Sequence, residues 1–267
     1  ISITTNGSMQ IKTPLGTITE HAPVVIQDGK QLQSNWVLQN GVLSFDIKGV
    51  NPNKPYTIDP AVRIWGTYYG NSSDEKSWAC VTDDAGNVYM AGEAATGGLA
   101  TTGAHQQSLN GSRDAILVKF NSLGIRKWAT YYGTVQSPGG PATRGAACCV
   151  DNKGNVFMVG SAPASAGTQI ATLGSHQPTL GGSLFDAFLV KFDSTGVRAW
   201  GTYYGGNAHE TGEACVADAL GNIYLVGYTS STVGISTTGA YQTNWLGTTN
   251  AFIAKFDARS EEHTSEL

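Results

Sequence analysis

The sequence predicts an all-β protein in which four-stranded antiparallel units repeat along the chain. Three observations carry that expectation. WGTYYG at Trp65 to Gly70 returns as WATYYG at Trp128 to Gly133 and as WGTYYG at Trp200 to Gly205. Between these hexapeptides the same short apolar runs recur in the same order, separated by Gly- and Asp-containing turns. The composition agrees, with 34 Gly in 267 residues and only 13% charged, which suits short strands and tight turns better than solvated helices. No long amphipathic helix is legible, and 40% hydrophobic residues suffice to bury a core in one large all-β domain or two smaller ones.

Each repeat can be read element by element over residues 61–258. The first strand ends in an Asp-led turn: ACVTDDAGN at Ala79 to Asn87, ACCVDNKGN at Ala147 to Asn155 and ACVADALGN at Ala214 to Asn222. Asp83, Asp151 and Asp218 can accept hydrogen bonds from the turn's own amides. Gly86, Gly154 and Gly221 can supply the positive φ of a tight hairpin, and Asn87, Asn155 and Asn222 close it. A second strand follows as VYMAG, VFMVG and IYLVG. A variable Gly/Ser/Thr loop comes next, closed by TTGAHQ, TLGSHQ or TTGAYQ. The third strand, DAILVKFN, DAFLVKFD or NAFIAKFD, is apolar on both faces, as a strand between two packed sheets must be. The turns SLGIRKW and STGVRAW lead into the fourth strand, the hexapeptide, where Trp65, Trp128 and Trp200 are expected to fill the gap between neighbouring sheets. Four short antiparallel strands per repeat make a propeller blade. The fold class predicted is a partial, open β-propeller of about three blades with a β-rich N-terminal region. An open arc leaves unpaired edges and bare apolar faces, both aggregation hazards.

The ordered landmarks W-x-T-Y-Y-G, D-x-x-G-N-[VI]-[YF]-x-x-G, T-x-G-[AS]-[HY]-Q and [DN]-A-[FI]-[LI]-[VA]-K-F resemble those of the bacterial seven-bladed β-propeller repeat family, over Arg63 to about Asp257. Residues 1–60, with IKTPLGTITEHAPVVIQ, VLSFDIKG and YTIDP, resemble the uncharacterised β-rich domain that often precedes such repeats. The resemblance implies a large secreted or cell-surface protein without agreed catalytic residues. Three repeats fall short of the family's seven, so neighbouring blades of the same native chain are expected partners.

Repeat position serves as an internal control on candidate chemistry. Cys80, Cys148 and Cys215 share one slot on the first strands, with Cys149 on the opposite face from Cys148. Small buried hydrophobes with free thiols is the favoured reading. A disulfide between equivalent slots is expected to exceed the reach of about 7 Å, and no C-x-x-C or neighbouring His suggests a metal. His105 and His176 share their slot with Tyr241, which points to ring packing rather than ligation. His209 and Glu210 open HETGE, which lacks the second His of a zinc protease helix. His21 is isolated. The turn aspartates could offer oxygen to calcium but lack the dense acidic set of a calcium loop. No nucleophile elbow, phosphate loop or flanked carboxylate pair is present, so no catalytic residue, metal or cofactor is expected.

A net charge of −4 without a basic stripe argues against nucleic acid or an anionic membrane as partner, and no apolar run approaches the roughly 20 residues of a membrane helix. The chain begins at Ile1 without a signal peptide and reads as an internal fragment. The functional expectation is a non-catalytic surface scaffold or adhesion module. Its loops at Ala94 to Asn110 and Ser161 to Leu184 would meet a glycan or a surface protein. The alternative is a piece of a propeller glycoside hydrolase or lyase with its active site in other blades. The last nine residues, RSEEHTSEL from Arg259, break the repeat after Ala258. They resemble, codon for codon, the translation of a sequencing-adapter read. They are expected to be a non-native, exposed tail, with His263 irrelevant to function.

Overall fold

The computed structural model describes residues 1–14, 16–58, 64–135, 140–163, 169–182 and 185–257. The non-native tail expected at 259–267 lies outside them. The described residues hold no α-helix, and the chain divides into two compact units, Ile1–Ile64 and Trp65–Leu267.

The first unit carries β1 (Ser2–Ile3), β2 (Met9–Thr13), β3 (Gly16–Glu20), β4 (Val25–Gln27), β5 (Lys30–Leu32), β6 (Ser34–Gln39), β7 (Val42–Ile47) and β8 (Thr57–Ile58). They form sheets in the orders β1-β2-β3 and β5-β4-β8 and the hairpin β6-β7. Two hairpins turn on Asp28-Gly29 and Asn40-Gly41, whose φ values of 52° and 73°, and 52° and 77°, are those of two-residue turns matched to strand twist. Gln27 is buried and clamps the following loop: its Nε2 donates to Asn51 O and Lys54 O at 2.9 and 3.1 Å, and its Oε1 accepts from Asn51 N at 2.7 Å.

The second unit contains β9 (Glu75–Thr82), β10 (Val88–Ala94), β11 (Asp114–Phe120), β12 (Arg126–Tyr132), β13 (Arg144–Val150), β14 (Val156–Pro163), β15 (Phe185–Phe192), β16 (Arg198–Tyr204), β17 (Glu210–Ala217), β18 (Ile223–Thr229) and β19 (Asn250–Phe256). Each repeat folds as an antiparallel meander: β9 to β12, β13 to β16, and the three-stranded β17 to β19. Ala79, Ala147 and Ala214 lie on the first strands β9, β13 and β17. The sheets stack face to face, with β13 against both β9 and β17. Two apolar layers fill the interfaces. Tyr89, Leu117 and Trp128 meet Met158, Val190 and Phe192 between the first and second sheets. Phe157, Leu189 and Trp200 meet Leu225, Phe252 and Phe256 between the second and third.

Two expectations need correction. The first hexapeptide, 65–70, is not a strand, because no third strand precedes it to pair with. The slot shared by Cys80, Cys148 and Cys215 was expected to be buried, but only Cys148 is: Cys215 is half-buried and Cys80 exposed, because no sheet among the described residues covers that side of the first sheet.

Candidate functional site

The three D-x-x-G-N turns lie at the same end of their sheets, because each joins a first strand to a second. They converge on a polar cleft of about 230 Å³ lined by Asp83, Asp84, Asp151, Asn152, Asp218 and neighbouring small residues. Each turn consumes its own aspartate. Asp151 Oδ1 accepts from the amides of Lys153 and Asn155 at 2.9 Å, and its Oδ2 from Asn155 Nδ2 at 2.7 Å. Asp83 and Asp218 do the same, accepting from Asn87 and Asn222 through main chain and side chain. Tyr89 and Tyr224 add hydroxyl donors at 3.2 and 3.4 Å. Gly86, Gly154 and Gly221 have φ of 73°, 78° and 84°, which an L side chain rarely adopts. Partial burial opposes ionisation of Asp83, but the donors from Asn87 and Tyr89 hold its carboxyl below the ordinary range. Asn87's counterpart, Asn222, leads the same depression at Asp218. Asn152 Nδ2 ties the second turn to the third at Ala219 O, 2.9 Å. No group of three metal-binding side chains occurs among the described residues.

The hexapeptide organises a second network, which runs from the turn end of each sheet along the fourth strand. The tryptophan reaches forward: Trp128 Nε1 donates to Ser194 O of the next sheet at 3.1 Å, over Gly196, and Trp65 Nε1 donates to Ser122 O at 3.1 Å, over Gly124. The threonine holds the preceding loop, with Gln106 N and Gln177 N donating to Thr130 Oγ1 and Thr202 Oγ1 at 3.0 and 2.9 Å. The first tyrosine is pinned to its own sheet's loop, as Tyr203 Oη donates to Pro163 O at 2.8 Å. The second reaches forward, as Tyr69, Tyr132 and Tyr204 donate to the carbonyls of Leu99, Ile170 and Ile235. The closing glycine donates its amide to a glutamine: Gly133 N to Gln106 Oε1 and Gly205 N to Gln177 Oε1, both 2.9 Å.

The same glutamines donate Nε2 to Asp114 and Asp186, at 2.6 and 2.7 Å. T-x-G-[AS]-[HY]-Q is therefore more than a loop closure. It runs along the outer edge of the fourth strand, Thr101 N bonding Ala129 O and Tyr131 N bonding Gln106 O, with Thr172 and Tyr203 repeating the pattern. That covers an edge that would otherwise invite another chain. The roles of Gln106, Gln177, Asp114 and Asp186 escaped the reading of the sequence, although their recurrence was visible there. His105 packs on Tyr132 and Phe192, and His176 on Tyr204 and Phe256, as ring fillers. His209 lies between Phe185 and Tyr228. The neighbouring Glu210 is fully buried and accepts from Gly206 N, Thr229 and Ser231.

All four cysteines are free. Cys149 belongs to the buried cluster of the second interface, and Cys215, at a non-equivalent slot, is partly buried against that cluster. Hydrogen bonding to Cys149 and burial push the Cys215 thiol well up, and burial pushes that of Cys148 up to about 12, so both are poor nucleophiles.

Asp186 carries a pH consequence of its own. Burial, helped by the Glu210 charge, raises it to about 6 despite donors from Gly181 and Gln177. Its folded pKa exceeds the unfolded value of about 3.9, so its favourable contribution is complete below about pH 4 and is lost as pH rises through about 6. Asp186→Asn keeps the acceptor and removes the ionisation. The stability of the variant relative to the parent should climb as pH rises from about 4 to beyond 6. Thermal melts across that range check it, and a constant difference would contradict the assignment.

A sequence-family model described as a domain of unknown function (DUF7948) matches residues 1–61, within the first unit. No match to a curated protein was found. No helix of the described residues is long and apolar enough to cross a membrane.

Proposed function

We propose that the repeat region is a sector of a β-propeller, of the seven-bladed repeat kind that its motifs resemble, acting as a non-catalytic scaffold on a secreted or cell-surface protein. The observation that carries this reading is where the repeated polar side chains are spent. Asp83, Asp151 and Asp218 close turns, and Gln106 and Gln177 bridge a strand end to Asp114 and Asp186. What differs between repeats is loop: 95–100 and 107–113 in the first repeat, and 230–236 and 243–249 in the third, whose residues are largely exposed. Rigid sheets carrying variable exposed loops are the arrangement binding proteins use. The loops are rich in Ser, Thr, Gly and Asn, suited to hydrogen bonding with glycan hydroxyls or a protein surface.

Incubation on a glycan array, followed by product analysis of the bound glycans, tests the reading. Retention with intact glycans is expected, and exchanging 230–236 and 243–249 for Gly/Ser segments should abolish it. Cleaved glycans would overturn it in favour of a hydrolase or lyase.

A further inference from the structure

The first strands of successive sheets repeat one short motif, and the second copy departs from it. ACV at Ala79 to Val81 and at Ala214 to Val216 becomes ACC at Ala147 to Cys149. Neighbouring residues of a strand face opposite ways, so the two cysteines of β13 belong to different interfaces. Cys148 is buried in the layer between the first and second sheets, against which Ala79 and Val81 of β9 pack, and its Sγ donates to Tyr89 O at 3.9 Å. Cys149 is buried in the layer between the second and third sheets, against which Cys215 and Ala217 of β17 pack. The same two slots therefore oppose each other at both interfaces, as Val81 and Cys148 at the first and as Cys149 and Cys215 at the second. Only the second offers sulfur from both sides.

The strands that carry this pair are close. Cα atoms of β13 and β17 come within 8 Å of one another. Gly212, earlier on β17, lies so near the second sheet that a Cβ there would stand 3.1 Å from Gly160 O and 3.4 Å from Gly160 N, on the strand paired with β13. The Cys215 thiol is in hydrogen-bonding contact with that of Cys149. Sulfurs already in contact have a short path to the roughly 2.05 Å of a disulfide bond.

We propose that in an oxidising environment Cys149 and Cys215 are joined by a disulfide that staples the second sheet to the third. The oxidant is a small disulfide such as oxidised glutathione. Cys215 is half-buried and Cys149 buried, so Cys215 is the sulfur that the oxidant reaches first. Its thiolate attacks one sulfur of the oxidant, breaking that S–S bond and releasing one glutathione thiolate. The Cys149 thiolate then attacks the mixed disulfide at the Cys215 sulfur and releases the second. Two protons and two electrons leave the protein and end on two molecules of reduced glutathione. In the finished fold the Cys215 thiol is held protonated, so the exchange runs during folding, while the strand is still solvated. Cys148 faces Val81 and keeps its thiol. The inference does not depend on what the loops bind.

Refolding of the full chain in oxidised glutathione, followed by non-reducing proteolysis and mass spectrometry, is the test. Every protein compared carries Cys80→Ser, which removes the exposed thiol from competition. A Cys149–Cys215 linkage is expected, lighter by two hydrogens than the reduced peptides. Cys149→Val, which installs the residue of the other two repeats, should abolish it, and Cys148→Ala should retain it. Oxidation should raise the melting temperature of the parent and of Cys148→Ala by about 5–10 °C, and leave that of Cys149→Val unchanged. Free thiols at 149 and 215 after refolding, a bond from Cys148 in place of the expected one, a linkage without a rise in melting temperature, or an equal rise in Cys149→Val would each overturn the proposal.

Discussion

Replacing Trp128 by alanine is expected to cost about 3–5 kcal/mol of unfolding free energy, the range for truncating a large buried aromatic. Trp128 is 8% exposed, packs on Tyr89 and Phe192, and donates to Ser194 O. Its loss opens a cavity in the first interface and removes one of the two donors to Ser194 O, the other being Lys119 Nζ at 3.0 Å. Trp65 is the control built into the chain. It makes the same hydrogen bond and the same ring contact but is 37% exposed, because no sheet stands behind it. Trp65→Ala should cost less than half as much, about 1–2 kcal/mol. Denaturant unfolding of both variants checks the pair. Equal losses would mean that the identity of the slot, and not its burial, sets the energy.

Gly160→Ala should be as damaging although it adds a single methyl. Gly160 sits on β14 opposite an irregularity in β13, where the register shifts between Gly145 and Ala147. A Cβ at position 160 would fall on the Arg144 carbonyl oxygen, with the Phe188 ring 2.9 Å away. A backbone carbonyl inside a sheet cannot swing aside as a side chain can. The cost is expected to be about 3 kcal/mol, or a fall in Tm of about 6–12 °C for a unit of this size. Gly92 and Gly227 face the carbonyls of Lys76 and Thr211 in the same way. Because the third sheet is covered on one side only, Gly227→Ala should cost less than Gly160→Ala. Calorimetric scans of the two variants would show it.

The repeat made the strand order and the Asp-led turns legible in advance, because both rest on local chemistry: an Asx turn and a positive-φ glycine are written within five residues. The glycine of [VI]-[YF]-x-x-G was equally regular, yet its reason is a bulge on the neighbouring strand, which no window on its own strand reveals. The glutamine of T-x-G-[AS]-[HY]-Q was hidden for a related reason, since its two partners, Gly133 and Asp114 in the first repeat, lie on two other strands. Burial at the ends was misjudged where the slot suggested a core position. Cys80 has the sequence context of Cys148, and only the absence of a covering sheet separates exposed from buried. In the first unit, the pairs Asp28-Gly29 and Asn40-Gly41 are local hairpin signals of the same kind, written within two residues.

The hexapeptide becomes a strand only when a third strand lies on one side of it and the T-x-G-[AS]-[HY]-Q segment on the other. Residue-resolved hydrogen exchange on the dilute, monomeric protein tests this. The amides of 129–132 and 201–204 should be protected by several orders of magnitude, while those of 66–70 exchange almost as freely as an open loop. Protection of 66–70 equal to that of the other two copies, in a monomer, would contradict the account.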